Sequence, residues 1–433
     1  MTATRSLIAA LAVLASSWAA QAAEVALAPF YQNAATLKAE GPLGTVLARE
    51  EVATAIPDAQ AWRIVYVSSD VRGKPTLSSA LVIAPKGAAP AGGRPILAWA
   101  HGTTGTAQSC GPSQVNDPAQ DLNEYFLVGG TSWTDFGVPA ATQFIAKGYV
   151  LVATDYQGLG AGGGAHQYTV AATQGRDVIN AVRAAGSMGL SGGAKKAAVY
   201  GWSQGGGATI AAASLGDYTA QTGTAFDGVS FVGFVAMAPF DIAVAMPPGA
   251  SGADGAQKAM ATLVSQFGGN VFNFAHLAMN LWAMPQAFPE LKLGDVFTDE
   301  GVKVLDEVFS KKCMHAGADT ISFAYPGTFM SLMKTAPDNA EAWGKAMIEG
   351  SVEPKPPVAP VAIYFGDKDT TLPPIMGKLY QAQMCALGAN VSRTQLPGEQ
   401  NHFTTPPMAE QFYVPWIEDR FAGKPLENGC PAQ

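Results

Sequence analysis

Short, nearly continuous apolar runs recur along the chain at 95–100, 149–154, 197–200, 231–238 and 358–365. Runs with no polar alternation suit strands buried on both faces, as in a parallel sheet covered by helices. Two earlier segments, 61–68 and 79–85, cluster or alternate β-forming residues around Gly73-Lys74-Pro75, which predicts a hairpin. A last strand is expected at Val391–Leu396. Helical stretches fall between several of these runs. Residues 172–186 set Val178, Ile179 and Val182 on one helical face, with Arg176 and Arg183 elsewhere. Strand and helix in alternation predict a doubly wound α/β domain. Residues 24–60 are mixed and Ala-rich and read as an N-terminal arm.

One interval breaks this alternation. About 120 residues separate the run at 231–238 from the one near 360, whereas a plain crossover adds loops of only ~2–6 residues to its helix. The interval is rich in Met, Phe, Trp and Ala, above all at 271–289, and predicts a helical insertion over 245–345. Such an insertion is either a lid over a site or a satellite subdomain with its own core, and the two are compatible. Residues 351–359 read as the linker back to the sheet. The expected organisation is a signal peptide at 1–22, a first core part at 23–244, the helical lid or cap at 245–345, and a second core part at 346–433.

The signal-peptide reading rests on Arg5, the apolar run from Leu7 to Trp18 and the small-x-small sequence Ala20-Gln21-Ala22. The run is too short to span a bilayer well, and no later stretch reaches ~18 uninterrupted apolar residues. Export, to the periplasm or the medium, is therefore expected. Four cysteines, Cys110, Cys313, Cys385 and Cys430, form an even set suited to disulfides in an oxidising compartment. Three pairings are open, and no C-x-x-C spacing points to a metal. Only 14% of residues are charged against 48% hydrophobic, which argues against disorder. The formal net charge of −8 excludes an affinity for phosphate backbones, so no nucleic-acid partner is expected.

The sharpest chemical signal is Gly201-Trp202-Ser203-Gln204-Gly205, which follows the apolar run at 197–200 and precedes a small-residue helix at 206–214. Strand, turn and helix in that order make a nucleophile elbow, with Ser203 lifted above the sheet. Side chains two positions either side of the serine would clash, and glycine removes them. A serine hydroxyl needs a base. On this fold the order is serine, acid, histidine. Of the later histidines, His276 and His315 fall in the insertion, while His402 follows the last strand and is the expected base. The acid should follow a late strand, and Gly366-Asp367-Lys368-Asp369 with Leu372-Pro373 beyond it selects Asp369 over Asp367, with Asp241 a third candidate. The amide of Gln204, at the helix start, can donate to an oxyanion. The strand end Ala98–Gly105 supplies a second donor, the amide of Thr103. His101 in that segment precedes the serine and reads as structural. The Gly-rich segment 155–169 lacks a phosphate-loop or dinucleotide signature. It is expected to be a flexible loop at the sheet rim, with Asp155 and Tyr156 shaping the site wall and His166 not a ligand.

Taken together, these segments resemble the secretory lipases within the α/β hydrolases. The resemblance covers nearly the whole mature chain. It is carried by Gly41–Thr45, Ala98–Gly105, Asp155–Gly160, Gly201–Gly206, Phe365–Pro373 and Asn401–Phe403. It implies an α/β-hydrolase fold with a helical lid between the sixth and seventh core strands. It further implies an ester-cleaving triad of Ser203, Asp369 and His402, oxyanion donors at Thr103 and Gln204, and no cofactor. Two disulfides are also implied, and by position these join Cys110 to Cys313 and Cys385 to Cys430. The chain departs from the family at Thr103 and Thr104, where an acidic residue is common. The expected activity is hydrolysis of hydrophobic carboxylic esters, with transient contact at a lipid interface. The rival readings are another serine hydrolase on the same fold (a polyester or feruloyl esterase, a peptidase or an acyltransferase) and a non-catalytic secreted binding protein.

Overall fold

The computed structural model describes residues 26–246 and 252–431, so the expected signal peptide lies outside the described residues. Among the described residues nine strands, β1 (Val46–Val52), β2 (Ala59–Ser69), β3 (Pro75–Pro85), β4 (Ile96–Ala100), β5 (Val150–Thr154), β6 (Lys196–Trp202), β7 (Ser230–Met237), β8 (Val361–Phe365) and β9 (Val391–Gln395), form one sheet. Its order is β1-β2-β3-β5-β4-β6-β7-β8-β9. The first three strands and the β3–β5 junction are antiparallel, and every pairing from β5 to β9 is parallel.

Alternation explains why the parallel strands read as unbroken apolar runs. In β4, Ala98 and Ala100 face one core and Leu97 and Trp99 face the other. The first core packs under helices Ala171–Ser187, Gln204–Ser214 and Ile375–Ala386, and the second under Ala141–Ala146 and Thr405–Phe421. The β2–β3 hairpin turns over Asp70–Lys74. There the Asp70 carboxylate accepts from the amides of Arg72 (3.0 Å) and Lys74 (2.9 Å), and Gly73 takes a φ of 79°.

Residues 24–60 are more than an arm. They contain β1, an edge strand pairing along β2. The Gly-rich segment 155–169 is likewise not a flexible rim loop. Nearly all of 155–162 is buried, and Gly158, Gly160, Gly162, Gly163 and Gly164 have positive φ. A Cβ at Gly158 would lie 2.3 Å from the His166 amide nitrogen. Close backbone packing, not mobility, is what these glycines provide.

Between β7 and β8 the chain forms a helical layer running from Ile242 to Glu349. It has its own core around Phe274, Leu281, Trp282, Leu305, Phe309 and Trp343. Several ties hold it to the rest of the fold. Asp241, just before the layer, accepts from Val244 N (3.0 Å) and from Val352 N (2.9 Å) on the returning chain, closing the base of the insertion. Arg72 at the hairpin tip pairs with Glu290 (2.6 Å) and Glu349 (3.0 Å). A disulfide joins Cys110 to Cys313, and a second joins Cys385 to Cys430. No helix among the described residues is long and apolar enough to cross a membrane.

Candidate active site

Ser203 sits between the end of β6 and the helix that begins at Gln204, with φ 58° and ψ −119°. A left-handed φ at a non-glycine residue costs of order 1–3 kcal/mol and persists only where the surroundings over-determine it. Here Ser203 N donates to Met237 O (2.9 Å), pinning the bend to the end of β7. The flanking glycines are required by space. A Cβ at Gly201 would lie 2.3 Å from Gly205 O, and one at Gly205 would lie 1.9 Å from Ala100 O.

His402 arrives from the loop between β9 and the last helix. Asn401 organises that loop, its side-chain oxygen accepting from the amides of Phe403 (2.9 Å) and Thr404 (3.0 Å). The Trp202 indole N–H donates to His402 O (3.1 Å). Nδ1 of His402 lies 2.7 Å from Asp369 Oδ2, and Nε2 lies 2.8 Å from Ser203 Oγ. Asp369 Oδ1 accepts from the amides of Thr371 (3.0 Å) and Leu372 (2.7 Å), which aims Oδ2 at the ring. An ionised carboxylate only accepts, so Nδ1 carries the proton and Nε2 presents a lone pair to the serine hydroxyl. All three residues are at most 5% exposed.

The other acidic candidates stand apart. Asp367 is partly exposed beside Lys368 (3.7 Å), and Asp241 holds the base of the insertion, where burial pushes its carboxyl up to about 6. Asp155 is a buried structural hub, accepting from Ser79 Oγ (2.6 Å) and Ser113 N (2.9 Å). His101 is buried, its Nδ1 2.6 Å from Gly102 O, and Tyr156 Oη donates to His101 O (3.0 Å). The strand end carrying Thr103 is thereby fixed, and Thr103 Oγ1 bonds Tyr168 Oη at 2.8 Å. Among the described residues, neither the Thr103 amide nor the Gln204 amide donates to another protein group. Gln204 opens an 11-residue helix, so its N–H belongs to the unpaired first turn at the positive end of the helix dipole.

A narrow cleft opens at Ser203. Its wall is shared between the insertion (Ile242, Leu263, Phe267, His276, Leu277, Asn280), the Gly-rich segment (Tyr168, Thr169) and the strand ends (Phe240, Thr371, Leu372). Beside it, Phe126 packs on Phe403 (4.5 Å between centroids) and on Phe272 (5.6 Å). His315 stacks on Tyr125 at 4.3 Å. Among the described residues, no group of three or more His, Cys, Asp or Glu side chains is placed to hold a metal ion.

A family model described as secretory lipase matches residues 130–236. Lipase 9 of Candida albicans is 24% identical over 380 residues, 86% of this chain and 75% of that protein. Lipase 10 of the same organism is 24% identical over 399 residues, 86% of this chain and 74% of that protein. These matches support a secretory lipase family for the chain. Among solved structures, lipase A of Candida antarctica in its closed state superposes with a TM-score of 0.66 at 18% identity, covering 94% of this chain and 89% of that one. The cell-wall-degrading esterase LipA of Xanthomonas oryzae gives 0.64 at 18%, covering 88% of this chain and 100% of that one. These likenesses show the α/β-hydrolase fold.

The sequence alone did not reveal the cleft wall. Tyr168, Phe240, Leu263, Asn280 and Leu372 carry no motif and meet only through the fold. It also passed over the contact between His166 and the Gln204 side chain, 2.9 Å long. The available signal was a histidine inside a glycine run, where tight turns leave no room for a side chain without a packing role.

Proposed function

We propose that this secretory lipase family member is an exported serine hydrolase of hydrophobic carboxylic esters, acting through an acyl-enzyme on Ser203. The observation that carries the reading is the relay Ser203 Oγ–His402 Nε2 (2.8 Å) and His402 Nδ1–Asp369 Oδ2 (2.7 Å), built on a serine held at positive φ. As Ser203 attacks the ester carbonyl, His402 takes its proton at Nε2, and Asp369 stabilises the imidazolium that forms. The developing oxyanion accepts from the amides of Thr103 and Gln204. One such donor typically contributes ~10²–10³ in turnover. The alcohol departs with the proton from His402, and a water activated by the same nitrogen then hydrolyses the acyl-enzyme. Because the insertion supplies six residues of the cleft wall, it serves as the lid over the nucleophile. Two disulfides and the family's secretory character support export.

The test is a panel of nitrophenyl esters of increasing chain length, run beside a peptide and a polyester on the mature protein and on Ser203→Ala. Turnover of the esters that disappears in the variant is expected. Cleavage of the peptide or polyester alone would replace this reading with a different serine-hydrolase activity. Ester turnover that survives in Ser203→Ala would remove the assignment of the nucleophile.

A further inference from the structure

The cleft at Ser203 is mostly apolar, and beside the hydroxyls of Ser203, Tyr168, Thr169 and Thr371 its polar lining is the amides of Gln204 and Asn280 and the His276 ring. His166 is 1% exposed, with Nδ1 2.7 Å from Gln157 O. A carbonyl can only accept, so Nδ1 carries the proton. Burial pushes the imidazole down to about 3, leaving the ring neutral with a lone pair on Nε2. The Gln204 side-chain nitrogen, 2.9 Å from that Nε2, must then be the donor. This orients the carboxamide and leaves Gln204 Oε1 buried with no hydrogen-bond partner among the described residues.

Asn280, on the helix Val271–Ala287, repeats the pattern. Its Nδ2 faces Tyr168 O (3.3 Å) and Thr169 Oγ1 (2.6 Å), and the Tyr168 carbonyl fixes which end is nitrogen. Asn280 Oδ1 is left buried and unpartnered. His276 donates from Nδ1 to Phe272 O (2.9 Å), and burial lowers its pKa to about 4, so its Nε2 is also an acceptor. Gln204, Asn280 and His276 all line the cleft, and no carboxylate does. Buried carbonyl oxygens without partners are rare in native proteins. Three acceptors and no charge call for a neutral donor carried by the ligand.

Resting on the reading of Ser203 as nucleophile, we propose that Asn280 Oδ1 and Gln204 Oε1 form a hydroxyl-recognition subsite, so that the enzyme prefers esters bearing a free hydroxyl a few atoms from the scissile carbonyl. A hydroxyl entering the cleft donates to one of these oxygens. An ester lacking it leaves them unpaired. Sites built around a substrate hydroxyl discriminate strongly against the deoxygenated analogue. A single neutral hydrogen bond of this kind corresponds to about 10-fold in kcat/KM.

Two matched pairs locate the hydroxyl. Nitrophenyl 3-hydroxyhexanoate against nitrophenyl hexanoate places it on the acyl side, and glycerol monobutyrate against propyl butyrate places it on the alcohol side. Rates are expressed per active site counted by fluorophosphonate titration. The expected result is a preference of about 10-fold for the hydroxylated member of at least one pair. That ratio should fall towards one in Asn280→Leu or in Gln204→Met. The wild-type ratio needs no variant, so a substitution that fails to fold does not remove the test. Ratios within about 2-fold of one for both pairs, or a preference untouched by both substitutions, would overturn the proposal. Absence of fluorophosphonate labelling would instead overturn the nucleophile reading and this inference with it.

Discussion

Replacing Gly205 with alanine adds one methyl group at the start of the helix behind Ser203. Two effects oppose each other. Alanine is the better helix former, worth about 1 kcal/mol over glycine in a helix interior and less in a first turn. Against this, the new Cβ would lie 1.9 Å from Ala100 O, 2.4 Å from Ala100 C and 2.6 Å from His101 O. Those atoms are backbone at the end of β4, so no rotamer change relieves the contact. Relief requires β4 and the helix to separate by more than 1 Å to reach ordinary van der Waals distance. Overpacking of this kind costs typically 1–3 kcal/mol, so the clash wins over propensity. For a chain of this size, the net loss corresponds to a fall in Tm of a few degrees. The separation also moves the Gln204 amide away from Thr103, and a 1 Å misplacement is worth about 10²-fold in rate. Thermal unfolding and ester kcat/KM of Gly205→Ala should both fall. Gly294→Ala, where a Cβ meets nothing within 4 Å, should leave both unchanged. A Gly205→Ala protein with wild-type Tm and wild-type kcat/KM would refute the steric account of the elbow.

Three further outcomes can be checked directly. Asp369→Asn should reduce ester turnover by ~10⁴ through loss of the tautomer lock. Asp367→Asn, a partly exposed neighbour, should change it little, and the reverse order would reassign the acid. Removing the Cys110–Cys313 bridge, which closes a separation of 203 residues, should lower Tm. By chain entropy this corresponds to at most about 5 kcal/mol. Because Met314 N donates to Thr104 O (2.9 Å) beside the bridge, the paired Cys110→Ala, Cys313→Ala substitution should reduce turnover more than Cys385→Ala, Cys430→Ala does. Finally, Glu124 and Asp135 are buried together below the loop carrying Phe126, and burial raises them to about 9 and about 6. Between the ordinary carboxyl range near pH 4 and those values, the folded chain binds more protons than the unfolded one, so stability falls as pH rises. Glu124→Gln should flatten the dependence of Tm on pH between 5 and 9, and parallel curves would contradict it.

Local patterns made most of the parallel sheet legible, because strands buried on both faces leave continuous apolar runs. Edge strand β1 escaped for the opposite reason. It carries Arg49, Glu50 and Glu51 on a half-exposed ribbon, and neither a run nor a clean alternation survives. At the site, Ser203, Asp369 and His402 were named from motif and chain order, and in the structure Ser203 and Asp369 each lie within hydrogen-bond distance of His402. Each belongs to a turn whose local chemistry is written in adjacent residues: glycines around Ser203, an Asp-Lys-Asp turn before Leu372-Pro373, and Asn401 before His402. The cleft wall has no such local grammar. Asn280, Tyr168 and Phe240 come from an insertion helix, a Gly-rich loop and a strand end, and only the tertiary fold brings them together. Glycines in 155–169 misled in a different way. Their frequency signals left-handed backbone and close approach, which a buried hydrogen-bonded loop uses as readily as a mobile one.

The most direct test of the central claim is covalent. Mature protein treated with a fluorophosphonate, digested and analysed by mass spectrometry should carry a single adduct on Ser203, and His402→Ala should lose nearly all of that labelling at matched time. An adduct on another serine, or undiminished labelling of Ser203 without His402, would contradict the account.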